Sequence, residues 1–205
     1  MFDLNRKIIF THPHKCGGTS IEFSFGWHPK SILNKKDEYI IFFKQFKHSS
    51  LTKHIEYIES LGYSKDEFFK FTCVRNPWDI AVSRFHHDKK DKNVPDFVKK
   101  MNFDQYIEFK YKQQIKNKKI KFLNIDTYLY HNNHLCIDYV IKLENFEKDF
   151  QLLQEKFGVE LPKKKFNFRD KSERDVYQNY YSNPNTKKLV EEAGQFLIKM
   201  FDYKF

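Results

Sequence analysis

The sequence predicts an α/β fold in which helices flank a parallel β-sheet. Three observations lead there. Short β-branched and aromatic runs alternate with stretches of helical periodicity along the 205 residues. Two of those runs, Lys7–Thr11 and Phe68–Val74, end in polar loops that pass at once into helices. Six glycines and six prolines leave no flexible linker, so residues 1–205 read as a single domain, long enough to bury one core.

Lys7–Thr11 reads as a buried strand and Thr19–Phe25 as a short helix. Tyr39–Phe43 reads as a second strand. Ser49–Leu61 carries Leu51, Ile55 and Ile58 at i, i+4 and i+7, the stripe of an amphipathic helix. Phe68–Val74 is the next strand. Pro77–His87 is a helix with a clear start, because Asn76 suits the N-cap and Pro77 the first helical position. Phe103–Ile115 reads as a helix. Ile137–Phe146 reads as a strand running into a helix that ends near Phe157. Lys163–Lys171 is basic and irregular. Pro184–Phe201 closes the pattern as one helix with Leu189, Ala193, Phe196, Leu197, Met200 and Phe201 on one side. In folds of this class ligands lie at the carboxyl ends of the strands, where the loops after Thr11 and Val74 fall.

The formal net charge is +10, and five of the 37 basic residues are arginine. Such a surface attracts anions of many kinds: nucleic acid, acidic glycan, nucleotide or membrane headgroup. Lysine, asparagine, isoleucine and phenylalanine are all abundant, as an AT-rich genome would make them, so the charge by itself names no partner. Cys16, Cys73 and Cys136 are far apart and odd in number, which predicts free thiols in a reducing cytoplasm. No run approaches the ~20 apolar residues of a membrane span, and "MFDLNRKIIF" lacks the long apolar stretch of a leader. A soluble, cytoplasmic chain is expected.

The first loop reads "THPHKCGGTS" (Thr11–Ser20). Gly17, Gly18, Thr19 and Ser20 offer main-chain N–H groups and two hydroxyls, and Lys15 adds a full positive charge. Glycines let the backbone approach a ligand, and successive N–H groups at a helix start form an anion site. A phosphate is the natural guest. The same spacing also fits an ordinary strand-to-helix turn capped by Thr19. A Walker A loop needs G-x-x-x-x-G-K-[ST], and no G-K-[ST] occurs here, which argues against a Mg-nucleoside triphosphate site. In the second loop Arg75 ends its strand, and Ser83 lies seven residues past Asn76, two turns on and on the same face. A phosphate on that face meets both. Read alone, Arg75 fits an ion pair equally well, and Ser83 a neutral helix position.

"HPHKCGGTS" resembles the "H-I-P-K-T-G-G-T-S" loop of sulfotransferases that use 3′-phosphoadenosine 5′-phosphosulfate (PAPS), above all the carbohydrate O-sulfotransferase branch. Pro13, His14 and Cys16 depart from that pattern; the lysine, both glycines and the Thr-Ser pair match it. "VRNPWDIAVS" resembles the family's "V-R-N-P-x-D-R-x-V-S", with Ile80 where arginine is frequent. "IDYVIKLENFEKDF", with Glu144, and the ending "FDYKF" resemble further family segments. The likeness spans nearly the whole chain and is weak between Asp88 and Asn133.

The resemblance implies a P-loop-like sulfotransferase fold and transfer of a sulfuryl group from PAPS to an acceptor hydroxyl, leaving 3′-phosphoadenosine 5′-phosphate (PAP). It assigns Lys15, Gly17, Gly18, Thr19 and Ser20 to the 5′-phosphosulfate, and Arg75 and Ser83 to the 3′-phosphate. Lys171 and Ser172, with Arg174, fall where the family places a loop over the cofactor. Lys15 is expected at the bond that breaks. His48 is expected as the base, because related enzymes place a histidine before the "V-R-N-P" strand; His54 and His86 compete for that role. The implied acceptor is a carbohydrate hydroxyl, on an oligosaccharide or glycolipid; a small alcohol and a peptide tyrosine stay open. No nucleic-acid partner is expected. Two other classes stay in view: a small-metabolite kinase using ATP and Mg, and a non-enzymatic basic protein that binds polyanions. His131, His134 and Cys136 lack a fourth ligand, so no metal is expected. Cys16, beside Lys15, reads as a thiol of lowered pKa without catalytic duty. Glu144 reads as a structural anchor, and His86 and His87 as helix-surface or cleft residues.

Overall fold

The computed structural model describes residues 1–28, 45–116, 123, 125–161 and 175–205. The strand expected at Tyr39–Phe43 lies outside the described residues, as do Lys163–Lys171, Ser172 and Arg174. The strands are β1 (Phe2–Asp3), β2 (Ile8–Thr11), β3 (Phe69–Val74), β4 (Tyr130–His131), β5 (His134–Leu135) and β6 (Tyr139–Lys142). The helices are α1 (Gly18–Ser24), α2 (Leu51–Ser60), α3 (Pro77–Lys90), α4 (Asp96–Lys99), α5 (Phe103–Lys116), α6 (Phe146–Phe157), α7 (Pro184–Ala193) and α8 (Gln195–Phe201). They form two compact units, Met1–Val74 with Asp126–Phe168, and Arg75–Ile125 with Arg169–Phe205.

The first unit is built on a sheet of order β1-β2-β3-β6. β2 and β3 run parallel with Phe10 opposite Phe71, and β3 and β6 run parallel with Thr72 opposite Val140. β1 is antiparallel to β2, so the sheet is not wholly parallel as the sequence predicts. A two-residue strand is too short to leave a periodic signal. Lys7, at φ 53, turns the chain back into β2.

Alternate residues of β2 face opposite sides. Ile9 packs with Phe68 and with Leu51, Ile55 and Ile58, the stripe of α2 read from the sequence. Phe10 stacks on Phe71 at 4.9 Å, Phe25 lies beside Phe71, and Phe150 meets Phe25 edge-on. Each fully buried side chain of this size contributes roughly 1.5–3 kcal/mol. Both faces of the parallel strands are therefore covered, as such strands require. β4 and β5 form a hairpin whose turn residues, Asn132 and Asn133, both take positive φ. The "HNNHLC" segment is that hairpin, and His131 Nδ1 lies 3.2 Å from Thr52 Oγ1 on α2.

In the second unit α3, α5 and α7 pack through Phe85, Phe103 and Tyr106. The Tyr106 hydroxyl donates to buried Asp88 at 2.7 Å, and Lys110 Nζ lies 2.9 Å from the same carboxylate. The single helix expected over Pro184–Phe201 is two, α7 and α8, broken at Gly194. A Cβ on Gly194 would stand 2.8 Å from the Pro77 ring, so the close approach demands glycine there. The apolar stripe runs through the break, which hides it from periodicity. No described helix is long and apolar enough to cross a membrane.

Asn76 caps α3 as expected: its Oδ1 accepts from the N–H groups of Trp78 (3.0 Å) and Asp79 (3.3 Å). Its Nδ2 donates to the Lys204 carbonyl (3.0 Å), and the Phe205 ring meets Trp78, Tyr177 and Tyr181. The "FDYKF" segment thus anchors the start of α3. Asn76→Ala should lower the unfolding free energy in urea by about 1–2 kcal/mol. Asn76→Asp, which keeps the cap acceptor, should cost less; equal losses would make the cap irrelevant.

Candidate active site

The loop after β2 leaves the sheet at Thr11, whose hydroxyl donates to the Tyr128 carbonyl at 2.8 Å. Lys15 (φ 64) and Gly17 (φ 84) both take the left-handed conformation, and Gly17 stands at the N-cap of α1 in place of Thr19. For lysine that conformation costs roughly 1–2 kcal/mol, a strain that persists only where its surroundings impose it. Ser20 is buried and its N–H bonds to the Gly17 carbonyl at 3.0 Å.

The two glycines have separate causes. Gly17 needs its positive φ, and a Cβ there would lie 2.5 Å from Leu143 Cδ1, just past β6. Gly18 carries the ring of His12: an added Cβ would lie 2.6 Å from His12 Cγ and closer still to Cδ2 and Nε2. The sequence pattern says only that small residues are wanted here. The structure shows that the protein's own side chains take the space behind the loop.

His12 is buried, and its Nδ1 lies 2.7 Å from Oε1 of Glu22, a fully buried carboxylate on α1. Burial holds His12 neutral and raises the Glu22 carboxyl, with Lys47 pulling it back down; Lys47 Nζ is 3.5 Å from Glu22 Oε2.

His48 joins this group. Its Nδ1 lies 2.8 Å from the His12 carbonyl oxygen, which only accepts, so Nδ1 carries the proton. A neutral ring then presents Nε2 as its basic nitrogen. The rings of His14 and His12 lie 3.7 Å and 4.5 Å from His48 between centroids. The Tyr128 hydroxyl donates to the His48 carbonyl at 3.3 Å. Burial, helped by the Lys47 charge, pushes His48 down to about 4. At pH 7 roughly one ring in a thousand carries a second proton.

The competing histidines are engaged elsewhere. His54 is fully buried on α2, with Nδ1 donating to the Ser50 carbonyl (2.8 Å) and Nε2 lying 2.7 Å from the Met1 nitrogen. His86, in the second unit, lies 2.7 Å from the Tyr180 hydroxyl. Cys16 is fully buried, and its Sγ–H donates to the His14 carbonyl at 3.4 Å, so the reading of a reactive thiol gives way to a packed one. Glu144 lies exposed in a short 3-10 turn, Leu143–Asn145, between β6 and α6.

Arg75 follows directly on β3. Its Nε and Nη2 both donate to Asp79 Oδ2, at 2.8 Å and 2.6 Å, one turn into α3. Ser83 lies buried on the same helix. Of the residues read from the sequence, Lys15, Gly17, Gly18, Thr19, Ser20 and His48 lie in the first unit, and Arg75 and Ser83 in the second. Lys171 and Ser172 are outside the described residues. His12, Glu22, Tyr128 and Asp79 escaped the sequence reading. The signals were a carboxylate inside the apolar run "SIEFSF" and an acid four residues after Arg75.

The depressed histidine sets a pH dependence. In the unfolded chain His48 binds its proton near 6.5, in the folded one near 4, so between those values the unfolded state binds more protons. His48 therefore adds stability that is present above about pH 6.5 and is lost as pH falls toward 4; His12 and His54, also lowered, act in the same sense. Urea unfolding across pH 4–7 should show stability rising with pH. A ring signal of His48 titrating near 6.5 in the folded protein would contradict the buried geometry.

No family model matches the sequence, and no curated protein matches it. Among solved structures the chain is similar to mouse sulfotransferase SULT7A1 complexed with PAP: the TM-score is 0.57 and the identity 14%, covering 93% of this chain and 84% of that one. The likeness shows the fold: a parallel-rich sheet flanked by helices, of the sulfotransferase type.

Proposed function

We propose that the chain transfers a sulfuryl group from PAPS to an acceptor hydroxyl, with residues 1–205 acting as one catalytic domain. The observation that carries the reading is the loop itself: a strained Lys15 and a left-handed Gly17 at the end of β2, beside a histidine whose Nδ1 is committed to a main-chain carbonyl. The solved structure with a similar fold holds PAP, which supports the choice of donor.

The donor set fits an anionic group. Lys15 supplies charge, residues 17–19 supply main-chain N–H groups, and Thr19 and Ser20 supply hydroxyls; the left-handed Gly17 turns the chain into α1. These residues take the 5′-phosphosulfate end. Arg75 and Ser83 take the 3′-phosphate. Lys171 and Ser172 join the cofactor contacts. PAPS supplies an already activated sulfuryl group. His48 Nε2 accepts the proton of the attacking hydroxyl. Lys15 neutralises the charge left on the phosphate oxygen as the bridge to sulfur opens. A histidine held near 4 is a weak base, and a neighbouring dianion favours its protonated form. Anion binding thus brings His48 toward the pH at which it must work. The finer reading of the acceptor, a carbohydrate or glycolipid hydroxyl, rests on the resemblance of "HPHKCGGTS" to the carbohydrate O-sulfotransferase branch. Free Cys16, Cys73 and Cys136 are in keeping with a cytoplasmic setting.

Thermal shift with PAP, with ATP plus Mg, and with DNA separates three functions: a large shift with PAP alone is expected. A shift with ATP and Mg alone would favour a kinase, and one with DNA alone a polyanion-binding protein. Arg75→Ala should weaken PAP binding by about 1.5–3 kcal/mol, and adenosine 5′-phosphosulfate binding much less; equal losses would remove Arg75 from the 3′-phosphate. Lys15→Ala should lower kcat by about 10²–10³. His48→Ala should lower it by about 10²–10⁴ with PAP affinity nearly unchanged. Full activity in His48→Ala would move the base elsewhere.

A further inference from the structure

We propose that Glu22 and the ring of His12 form a buried positioning pair that sets the path of the glycine loop and the tautomer of His48 together. The proposal rests on the reading of His48 as the base. Neither residue is assigned a contact with donor or acceptor, so each acts through another group.

Glu22 is fully buried, and its Oε2 finds no hydrogen-bond partner among the described residues. Burying a carboxylate costs free energy that an apolar residue of the same size does not. What the carboxylate provides in return is one acceptor fixed 2.7 Å from His12 Nδ1. The other edge of that ring rests on Gly18, with no room even for a methyl group between them. His12 is thus clamped from two sides. Its carbonyl is the group that accepts from His48 Nδ1. A shift of the His12 ring therefore moves the loop at Gly18 and the acceptor of His48 in one step. The series continues outward: Lys47, 3.5 Å from Glu22 Oε2, is the residue next to His48 in the chain. All of these groups belong to the first unit.

A merely structural carboxylate would change stability when replaced and leave the His48 proton where it is. The test reads that proton directly, by long-range ¹H–¹⁵N NMR of the ¹⁵N-labelled full chain at pH 7 without ligand. Wild type and Glu22→Gln, whose amide oxygen still accepts from His12, should show His48 as the Nδ1–H tautomer. Glu22→Leu should show a measurable fraction of Nε2–H, and a kcat lowered by roughly 10- to 100-fold relative to Glu22→Gln. Gly18→Ala, which leaves the side chains of Glu22 and His48 unchanged, should displace the ring of His12 and give the same mixed tautomer. It decides the matter if Glu22→Leu does not fold. A folded Glu22→Leu or Gly18→Ala in which His48 stays wholly Nδ1–H would overturn the proposal, as would Nε2–H in the wild type. Wild type that fails to bind PAP would defeat the functional reading instead, and would leave the tautomer result standing.

Discussion

His48 Nδ1 donates to the His12 carbonyl across 2.8 Å, and the polar groups behind the loop of the first unit are organised around that bond. It fixes which nitrogen of His48 is basic. It ties residue 48, just before α2, to the first residue past β2. The acceptor is a main-chain group, so its position is only as firm as the strand and loop that carry it. β2 is firm because parallel pairing to β3 and apolar packing on both faces bury it completely. The loop is firm because His12 is clamped between Glu22 and Gly18. The glycines therefore have two duties. Gly17 provides a backbone conformation that other residues adopt only under strain, and Gly18 provides the space in which a buried histidine sits.

The segment after β3 is held in a different way. Arg75 is held by a carboxylate one turn into its own helix rather than by packing alone. A guanidinium fixed in advance loses less conformational freedom when it meets a ligand. Asp79 also offsets part of its charge. A phosphate with nearly two negative charges competes well against one carboxylate, whereas a singly charged group competes poorly. The pairing therefore favours a phosphate monoester over a singly charged group.

The alternation of elements was legible from short runs with strong periodicity. β2, β3, α2 and the start of α3 lie within a residue or two of where apolar spacing, an asparagine cap and a proline put them. What escaped was non-local. β1 has two residues and exists because β2 offers an edge. The break between α7 and α8 follows from the nearness of Pro77 to Gly194, more than a hundred residues apart in sequence. The loop after β2, with Lys15, the glycines and the Thr-Ser pair leading into α1, was legible in its place. The residues behind it were not. Glu22 sits in an apolar run where a carboxylate has no local purpose, and its partner His12 lies ten residues back. In the sequence His48 stands just before the helix of Ser49–Leu61, and His54 lies six residues on, inside it and about 240° around. Burial adds a second difference: His54 spends both ring nitrogens inside the core, while His48 uses Nδ1 on the His12 carbonyl.

The central claim is that the loop from Lys15 to Ser20 receives the 5′ end of the donor. A crystal structure of the protein with PAP bound tests it most directly. The 5′-phosphate should lie on the main-chain N–H groups of residues 17–19, with the Lys15 ammonium in contact and His48 still donating from Nδ1 to the His12 carbonyl. PAP bound elsewhere, or bound with its 5′-phosphate away from this loop, would contradict it.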